Sequence, residues 1–309
     1  MKQSRPKPLE VSDVTDVLAR FHALVAIGLA AIAGPSWVQA APATLGDQSQ
    51  AIAPGPGQDP VLMSHAAVYD VALIKASQTE GVRGASGRLT YTFLDRCDGY
   101  TIESELDASI AYSSGVTNHI VQRYAGWEST DGTRSTFSMR VYDNDELEDS
   151  YTGSVELDAD GAGRAVYRGA DVVTYDLPRG TVLSTSQIRG LIRAGRANAP
   201  LVAEPVMDGA FDQGPYRVTG YIAPLRQAAE ESLEAQVSTG PTSNDGLLKG
   251  GYWPVSLAYF PLAGKAETPD YELSMHLQSN GIVRYMTQDF ITYTLSFDLA
   301  SVRALPGGC

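Results

Sequence analysis

The side chains best suited to acid–base chemistry or metal binding in this 309-residue sequence are His65, His119 and His276. An imidazole changes charge near neutral pH and is a common metal ligand. Each of the three lies in a β-patterned run, and none forms an H-x-H or H-E-x-x-H pair with another. The G-x-S-x-G nucleophile motif is absent from the sequence, and S-x-x-K spacing occurs only at Ser4 and Lys7, near the N-terminus. We therefore interpret these histidines as structural and predict no catalytic residue, cofactor or metal, so that the protein is not an enzyme.

The two cysteines, Cys97 and Cys309, are the other reactive side chains. Cys97 follows a predicted strand and Cys309 is the last residue, so a disulfide between them would join an early hairpin to the end of the chain. Closing so long a loop stabilises a fold by roughly 5 kcal/mol at most. The alternative is two free thiols. We predict the disulfide, which leaves no thiol for nucleophilic catalysis.

Two acidic segments, residues 143–149 and 158–163, contain the carboxylates that Ca²⁺ prefers as ligands. The first lacks the glycine and the final glutamate of an EF-hand loop, and the second has only its two aspartates. We interpret both segments as solvated hairpin tips. Gly240 and Gly246 do not have the spacing of a phosphate-binding loop, and Gly246 is followed directly by Leu247 instead of the lysine that such a loop requires.

Aromatic residues are abundant, with 16 Tyr, 7 Phe and 3 Trp, and they are densest over residues 251–262. One interpretation is ordinary core packing. The other is an apolar cavity inside an incompletely closed barrel, able to hold an acyl chain or a peptide. For the second interpretation the candidate cavity residues are Tyr252, Trp253, Leu257, Tyr259 and Phe260.

Alternation of apolar and polar residues predicts antiparallel β-strands along most of the chain, with turn signals about every ten residues. Residues 88–95 and 100–106 form a predicted hairpin around Asp98-Gly99, where Gly99 would supply a positive φ. The strand with the most regular alternation covers residues 291–299. Further strands are predicted over residues 65–77, 110–112, 116–124, 133–143, 150–157, 165–168, 172–176, 201–207, 216–223, 252–262 and 271–279.

One amphipathic helix is predicted over residues 187–197, with Thr185 or Ser186 as its N-cap. Four residues share its apolar face: Ile188, Leu191, Ile192 and Gly195. Residues 226–247 start with a helical pattern and end as a loop rich in Gly, Pro, Ser and Asn, which predicts an exposed excursion.

The first 40 residues have the pattern of a cleaved secretory signal peptide, because basic residues precede the apolar run 23–34 and small residues stand at Val38 and Ala40. That run is shorter than the ~20 residues needed to cross a bilayer, so we expect a protein that does not span the membrane. Residues 41–60 are predicted to be a flexible linker and residues 61–309 a single domain. The net charge of −13 argues against nucleic acid as a partner.

Several segments in order resemble the EipB-like family of periplasmic cell-envelope integrity proteins of alphaproteobacteria. They are HAAVYDVAL at His65, SGRLTYTF with RCDGYT around Cys97, LPRGTVL before the helix, IRGLIRAGRA within it, MDG at Met207, WPVSLAYF at Trp253, TPDYE at Thr268, NG at Asn280, and Leu305-Pro306 before the terminal cysteine. The resemblance covers residues 61–309, and it depends on the order of the segments together with the terminal cysteine.

The resemblance implies an all-β, mainly antiparallel fold with a few helices: an open, spiral-like broken β-barrel closed by one long-range disulfide, between the positions of Cys97 and Cys309. It also implies a periplasmic protein without catalytic activity that supports envelope integrity and stress resistance. A periplasmic tetratricopeptide-repeat protein is an implied partner.

Three functional hypotheses follow from the sequence. The first is a non-enzymatic envelope protein that binds a periplasmic protein or an envelope component. The second is a periplasmic carrier that holds a lipid, a lipoprotein or another hydrophobic ligand in an apolar cavity. The third is a hydrolase acting on envelope polymers, which the absence of a catalytic constellation disfavours.

Overall fold

The alternating sequence pattern places one face of most strands against the core, and the strands join in one 15-stranded sheet. The computed structural model describes residues 59–77, 81–209, 214–227, 246–262, 266–290 and 292–308. The predicted signal peptide and most of the predicted linker lie outside these residues. The strands are β1 (His65–Ala76), β2 (Val82–Asp95), β3 (Gly99–Tyr112), β4 (Thr117–Ser129), β5 (Arg134–Asp143), β6 (Glu146–Leu157), β7 (Gly163–Arg168), β8 (Val172–Leu177), β9 (Val182–Leu183), β10 (Leu201–Met207), β11 (Tyr216–Ile222), β12 (Tyr252–Pro261), β13 (Tyr271–Gln278), β14 (Val283–Asp289) and β15 (Tyr293–Ala304).

Strands that are consecutive in the chain are neighbours in the sheet, with one exception. The order is β8-β7-β6-β5-β4-β3-β2-β1-β15-β14-β13-β12-β11-β10-β9. The first and last strands pair antiparallel from His65↔Ala304 to Ala76↔Tyr293, and the two edge strands, β8 and β9, are consecutive in the chain. The sheet is therefore a meander in which the first and last strands of the chain, β1 and β15, pair with each other. It is open between β8 and β9. The predicted open, antiparallel all-β architecture is confirmed, with one helix among the described residues instead of a few.

The predicted closure of this fold by a long-range disulfide is wrong. The β1–β15 ladder brings the two ends of the domain together, since His65 pairs with Phe93 on one side and with Ala304 on the other. Cys97 is the single cysteine among the described residues and is not a free thiol, while Cys309 lies outside them. No disulfide therefore joins two described residues, and the opening of the sheet lies between β8 and β9 rather than beside Cys97.

Two predicted turns have different outcomes. At the tip between β5 and β6, Asn144 and Asp145 have φ of 49° and 69°, which suits a tight hairpin turn and confirms that this acidic segment is a hairpin tip. Between β2 and β3, the Arg96 N–H donates to the Gly99 carbonyl at 2.8 Å. Gly99 does not have a positive φ; a Cβ there would collide with the Glu128 carbonyl on β4. Close strand approach, and not turn geometry, requires this glycine.

The helix α1 (Ser184–Arg196) confirms the predicted helix but begins earlier, so that Thr185 and Ser186 lie inside it. Leu183 occupies the N-cap position and no side chain of the helix caps its first turn. The N-terminus is instead held by Glu128 of β4, whose carboxylate accepts a hydrogen bond from the Thr185 N–H at 2.9 Å. The predicted apolar face, Ile188, Leu191, Ile192 and Gly195, is buried as expected.

The core consists of two clusters of buried side chains. The large one includes α1 and β1, β12, β13 and β15, and the smaller one is formed by β4 to β8 together with Leu183 of β9 and Met207 of β10. The predicted alternation of β15 is confirmed for Tyr293, Leu295, Phe297 and Leu299, which are all buried. Among the described residues, no helix has the length and apolarity needed to cross a membrane.

Candidate functional site

The N-terminal turn of α1 and the inner face of the sheet enclose a cavity that offers about 70 Å³ to the centres of water-sized molecules. One water needs roughly 10–15 Å³ on this measure, so the cavity suits a narrow group rather than a bulky ligand. Its apolar lining is Leu62, Leu89, Ile102, Ile188, Leu273, Val283 and Met286, its aromatic lining Tyr69, Tyr91, Phe93 and Tyr124, and its polar lining His65, Ser184, Thr185, Asp208, Asn280 and Gln288, with Gly281.

His65 is the histidine of this cavity. Its Nδ1 lies 2.7 Å from the Met63 carbonyl, so Nδ1 carries the proton and donates it to that oxygen. The ring is in contact with Tyr91 and Phe93, at centroid distances of 5.7 and 6.1 Å. Burial lowers the pKa of His65, and the imidazole therefore stays neutral and contributes a polar edge instead of a charge.

Two of the three tyrosine hydroxyls around the cavity donate to backbone carbonyls. Tyr69 donates to the Val283 carbonyl at 2.8 Å and Tyr124 to the Asp208 carbonyl at 3.3 Å. Burial raises the pKa of both phenols, which keeps them neutral. Gln288 differs, because its buried Oε1 has no hydrogen-bond partner among the described residues. A ligand hydroxyl or amide in the cavity would supply the missing donor.

Glu128 fixes the wall of the cavity that α1 provides. The Glu128 side chain is 3% exposed. Its carboxylate accepts the hydrogen bond from the backbone N–H of Thr185, which lines the cavity. Burial raises the pKa of Glu128 to about 7, although hydrogen bonds from the first turn of the helix oppose the shift. The carboxylate thus replaces an N-cap side chain and also complements the positive end of the helix dipole.

The five residues predicted for an apolar cavity lie together on β12, but none of them is among the residues that line the cavity described above. Trp253, Leu257 and Tyr259 point into the large core cluster. Tyr252 and Phe260 point the other way: Tyr252 stacks on His276 at 4.2 Å, and Phe260 lies under the guanidinium of Arg217.

The other two predicted histidines lie apart from the cavity and from each other. His119 is on β4, with Nε2 2.8 Å from a carboxylate oxygen of Asp107. His276 is on the face of β13 opposite to Leu273 and Met275. In the parts of the chain that the structure describes, no three His, Cys, Asp or Glu side chains converge as a metal site would require.

Sequence analysis missed most of the cavity residues, because they come from strands that are distant in the chain. The local signal that was available is the missing N-cap: α1 has no acidic residue in its first turn, so an acceptor from elsewhere had to satisfy its free N–H groups. Glu128 lies near the end of β4, and no feature of the sequence links it to the helix. No comparable signal marks Asp208 or Gln288.

Comparison with known proteins gives consistent results. Residues 56–306 match the EipB-like family. The cell envelope integrity protein EipB of Brucella abortus (strain 2308) is 26% identical over 236 residues, which cover 76% of this chain and 81% of that protein. A crystal structure of a β-barrel-like protein of unknown function from Brucella abortus superposes with a TM-score of 0.70 at 24% identity, covering 80% of this chain and 99% of that one. The last likeness shows the fold alone. The family match extends over most of the length of this chain, and the chain therefore belongs to the EipB-like family.

Proposed function

We propose that this protein supports the integrity of the bacterial cell envelope from the periplasm, and that it acts by binding and not by catalysis. The observation that carries the proposal is the cavity between α1 and the sheet, with its apolar wall and few polar groups. Such a composition is typical of sites that hold an apolar group and orient it with a small number of hydrogen bonds. The relative named as a cell envelope integrity protein supports the envelope assignment, and the N-terminal signal pattern supports export.

The occupant that suits the cavity is a narrow apolar group of an envelope component, such as the end of an acyl chain. Neutral His65 and the unpartnered Oε1 of Gln288 can form hydrogen bonds with a polar atom attached to that apolar group. The small volume of the cavity, about 70 Å³, favours a chain end over a whole lipid. A carrier of lipids or lipoproteins is the second candidate function, and the same cavity is the observation that favours it.

A protein partner is the other component of the proposal, and a periplasmic tetratricopeptide-repeat protein is the partner that the family resemblance implies. The edge strand β8 has a neighbour on one side only within the described sheet. Val172 at its start is 68% exposed, which is unusual for a large apolar side chain near an open edge. This edge is the surface where we place the partner.

Filling the cavity is the direct test. We expect Ile102→Phe to weaken binding of n-octanol, a neutral straight-chain probe, by about tenfold or more, because a larger ring at a lining position removes the space that the alkyl chain would occupy. The measurement is calorimetric titration of the mature protein. In cells that lack the gene, the same variant should restore resistance to detergents and cell-wall antibiotics less well than the wild type.

Ile74→Phe is the matched control. Ile74 is 54% exposed on β1 and does not line the cavity, so the same change there should leave octanol binding and the resistance of the cells at wild-type values. Equal octanol affinity of the wild type and Ile102→Phe would contradict the cavity as the binding site. Unchanged detergent and antibiotic sensitivity of the deletion strain would contradict the envelope function itself.

A further inference from the structure

An irregularity in the pairing of β14 with β13 sets the position of Arg284. Between the pairs Met275↔Met286 and Leu277↔Val283, β14 contains one residue more than β13. Arg284 and Tyr285 therefore both lie opposite His276 in a β-bulge. Bulges re-aim side chains and are over-represented beside functional sites. Because side chains alternate along β13, His276 lies on the opposite face from Leu273, which lines the cavity.

The guanidinium of Arg284 is buried and only partly satisfied. Arg284 is 6% exposed, and its Nη2 donates to the carbonyls of Leu248 and Gly250. Its Nε and Nη1 have no hydrogen-bond partner among the described residues. No salt bridge joins Arg284 to a carboxylate among the described residues, and a buried cation without a counter-ion is costly. The arginine is therefore unlike the exposed arginines of the sheet, which pair with carboxylates such as Arg88 with Asp70 and Arg123 with Glu105.

The surroundings of Arg284 are cationic and aromatic. Its Cζ lies 5.8 Å from the Tyr252 ring centroid, and Tyr252 stacks on His276 at 4.2 Å. Arg226 pairs with Tyr252 through both backbone hydrogen bonds, each 2.9 Å long. Burial, and then the charges of Arg226 and Arg284, lower the pKa of His276. In a chain with a net charge of −13, this is a local reversal of sign.

One carboxylate faces the edge of this group. Asp298 of β15 is the register partner of Tyr285, and after burial its charge is the second cause that raises the pKa of the Tyr285 phenol. It is not among the groups that shift the pKa of Arg284 or His276. The free N–H groups of Arg284 are therefore not neutralised by it.

We propose that Arg284, His276 and Arg226 form a binding site for a phosphate-bearing ligand. Nε and Nη1 are charged donors, and each can donate a hydrogen bond to a phosphate oxygen. The Tyr252 ring, whose centroid is 5.8 Å from Cζ, favours a cation at this position. Nε and Nη1 are shielded from water, so the segment 246–251 shifts when the ligand enters. Gly250, with a φ of 99°, and the adjacent Gly251 lie in that segment. The site is independent of the cavity and of the function proposed for it.

The phosphate is either free in solution or part of a lipid headgroup, and two measurements distinguish these sources. We expect inorganic phosphate to raise the thermal unfolding temperature of the mature protein relative to chloride at equal ionic strength, and to bind Arg284→Met about tenfold or more weakly. Co-sedimentation with phosphatidylglycerol vesicles that depends on Arg284, and its absence with phosphatidylcholine alone, would identify an anionic lipid headgroup. A phosphate effect without vesicle binding would identify a soluble phosphate ester.

Three further variants keep the test decisive. His276→Asp places a carboxylate beside the guanidinium and should abolish the phosphate effect while the bonds from Arg284 to Leu248 and Gly250 remain. Arg217→Met is the matched control, because Arg217 also lies over an aromatic ring, that of Phe260, but is exposed; it should bind phosphate like the wild type. Ile102→Phe should also retain phosphate binding. The proposal is overturned if phosphate does not stabilise the wild type. It is also overturned if phosphate stabilises Arg284→Met and His276→Asp to the same extent as it stabilises the wild type.

Discussion

Glu128→Gln is expected to gain stability relative to the wild type as the pH rises from about 4.5 to about 7. Burial raises the pKa of Glu128 from 4.5 to about 7. Between these values the folded protein holds a proton that the unfolded chain releases, so the wild type loses stability as the pH rises. The loss approaches roughly 3 kcal/mol above pH 7, at about 1.4 kcal/mol per pKa unit. A glutamine does not ionise, yet its carbonyl oxygen can still accept from the Thr185 N–H.

The measurement is urea unfolding of both proteins at several values of pH from 4.5 to 8, compared as a difference of unfolding free energies. Other titrating groups, such as Glu204 and His65, occur in both proteins and cancel in the difference. Glu105→Gln is the control, since Glu105 is exposed and pairs with Arg123 on the surface; its difference curve should be nearly flat. If the curve of Glu128→Gln were equally flat, the carboxylate would not be the buried cap of α1 that the structure describes.

Much of the sheet was predictable because the pattern that forms a strand is local. The alternation in residues 65–77 depends only on which face of the strand is buried, and the structure confirms it for the first eight residues of β1. In β15 the apolar face is buried as predicted, but Thr294 and Ser296 of the predicted polar face are buried as well. The apolar face of α1 was predictable for the same reason. The boundaries of the strands were less predictable. Residues 110–112 are the end of a continuous β3 and not a separate strand, because polar residues in a long paired strand do not interrupt its hydrogen bonds.

The candidate sites were not predictable, because both depend on which strands become neighbours. The cavity combines residues from β1 to β4 with others from β13 and β14, and these meet only because β1 pairs with β15. The position of Arg284 depends on a register shift of one residue, which leaves no mark in the alternation of β14. The predicted disulfide closure was wrong for a related reason: two sparse cysteines were used to infer a closure that the backbone ladder provides.

Gly195→Ala is expected to change the sign of its effect on stability when Trp253 is removed. A Cβ at Gly195 would lie 2.8 Å from the Trp253 ring, which is too close for a rigid side chain to accommodate without a shift of the helix. The single change should therefore destabilise the fold by about 1–3 kcal/mol through overpacking. Trp253→Ala alone should cost about 3–5 kcal/mol, because it empties part of the core. In that background the obstacle is gone, and Gly195→Ala should instead stabilise α1 by up to about 1 kcal/mol.

Gly190→Ala is the matched control on the same helix, since the nearest atom to a Cβ there is an Arg193 nitrogen at 3.9 Å, an ordinary contact. It should stabilise the protein by a similar helix-propensity increment whether or not Trp253 is present. Urea unfolding of the wild type, the three single variants and the two double variants gives the coupling free energy of each glycine with Trp253 directly. A Gly195→Ala effect of the same sign and size in both backgrounds would show that the helix does not rest on this ring. The reversal would establish that the tryptophan sets the distance between α1 and the sheet, and with it the width of the cavity at the other end of the helix.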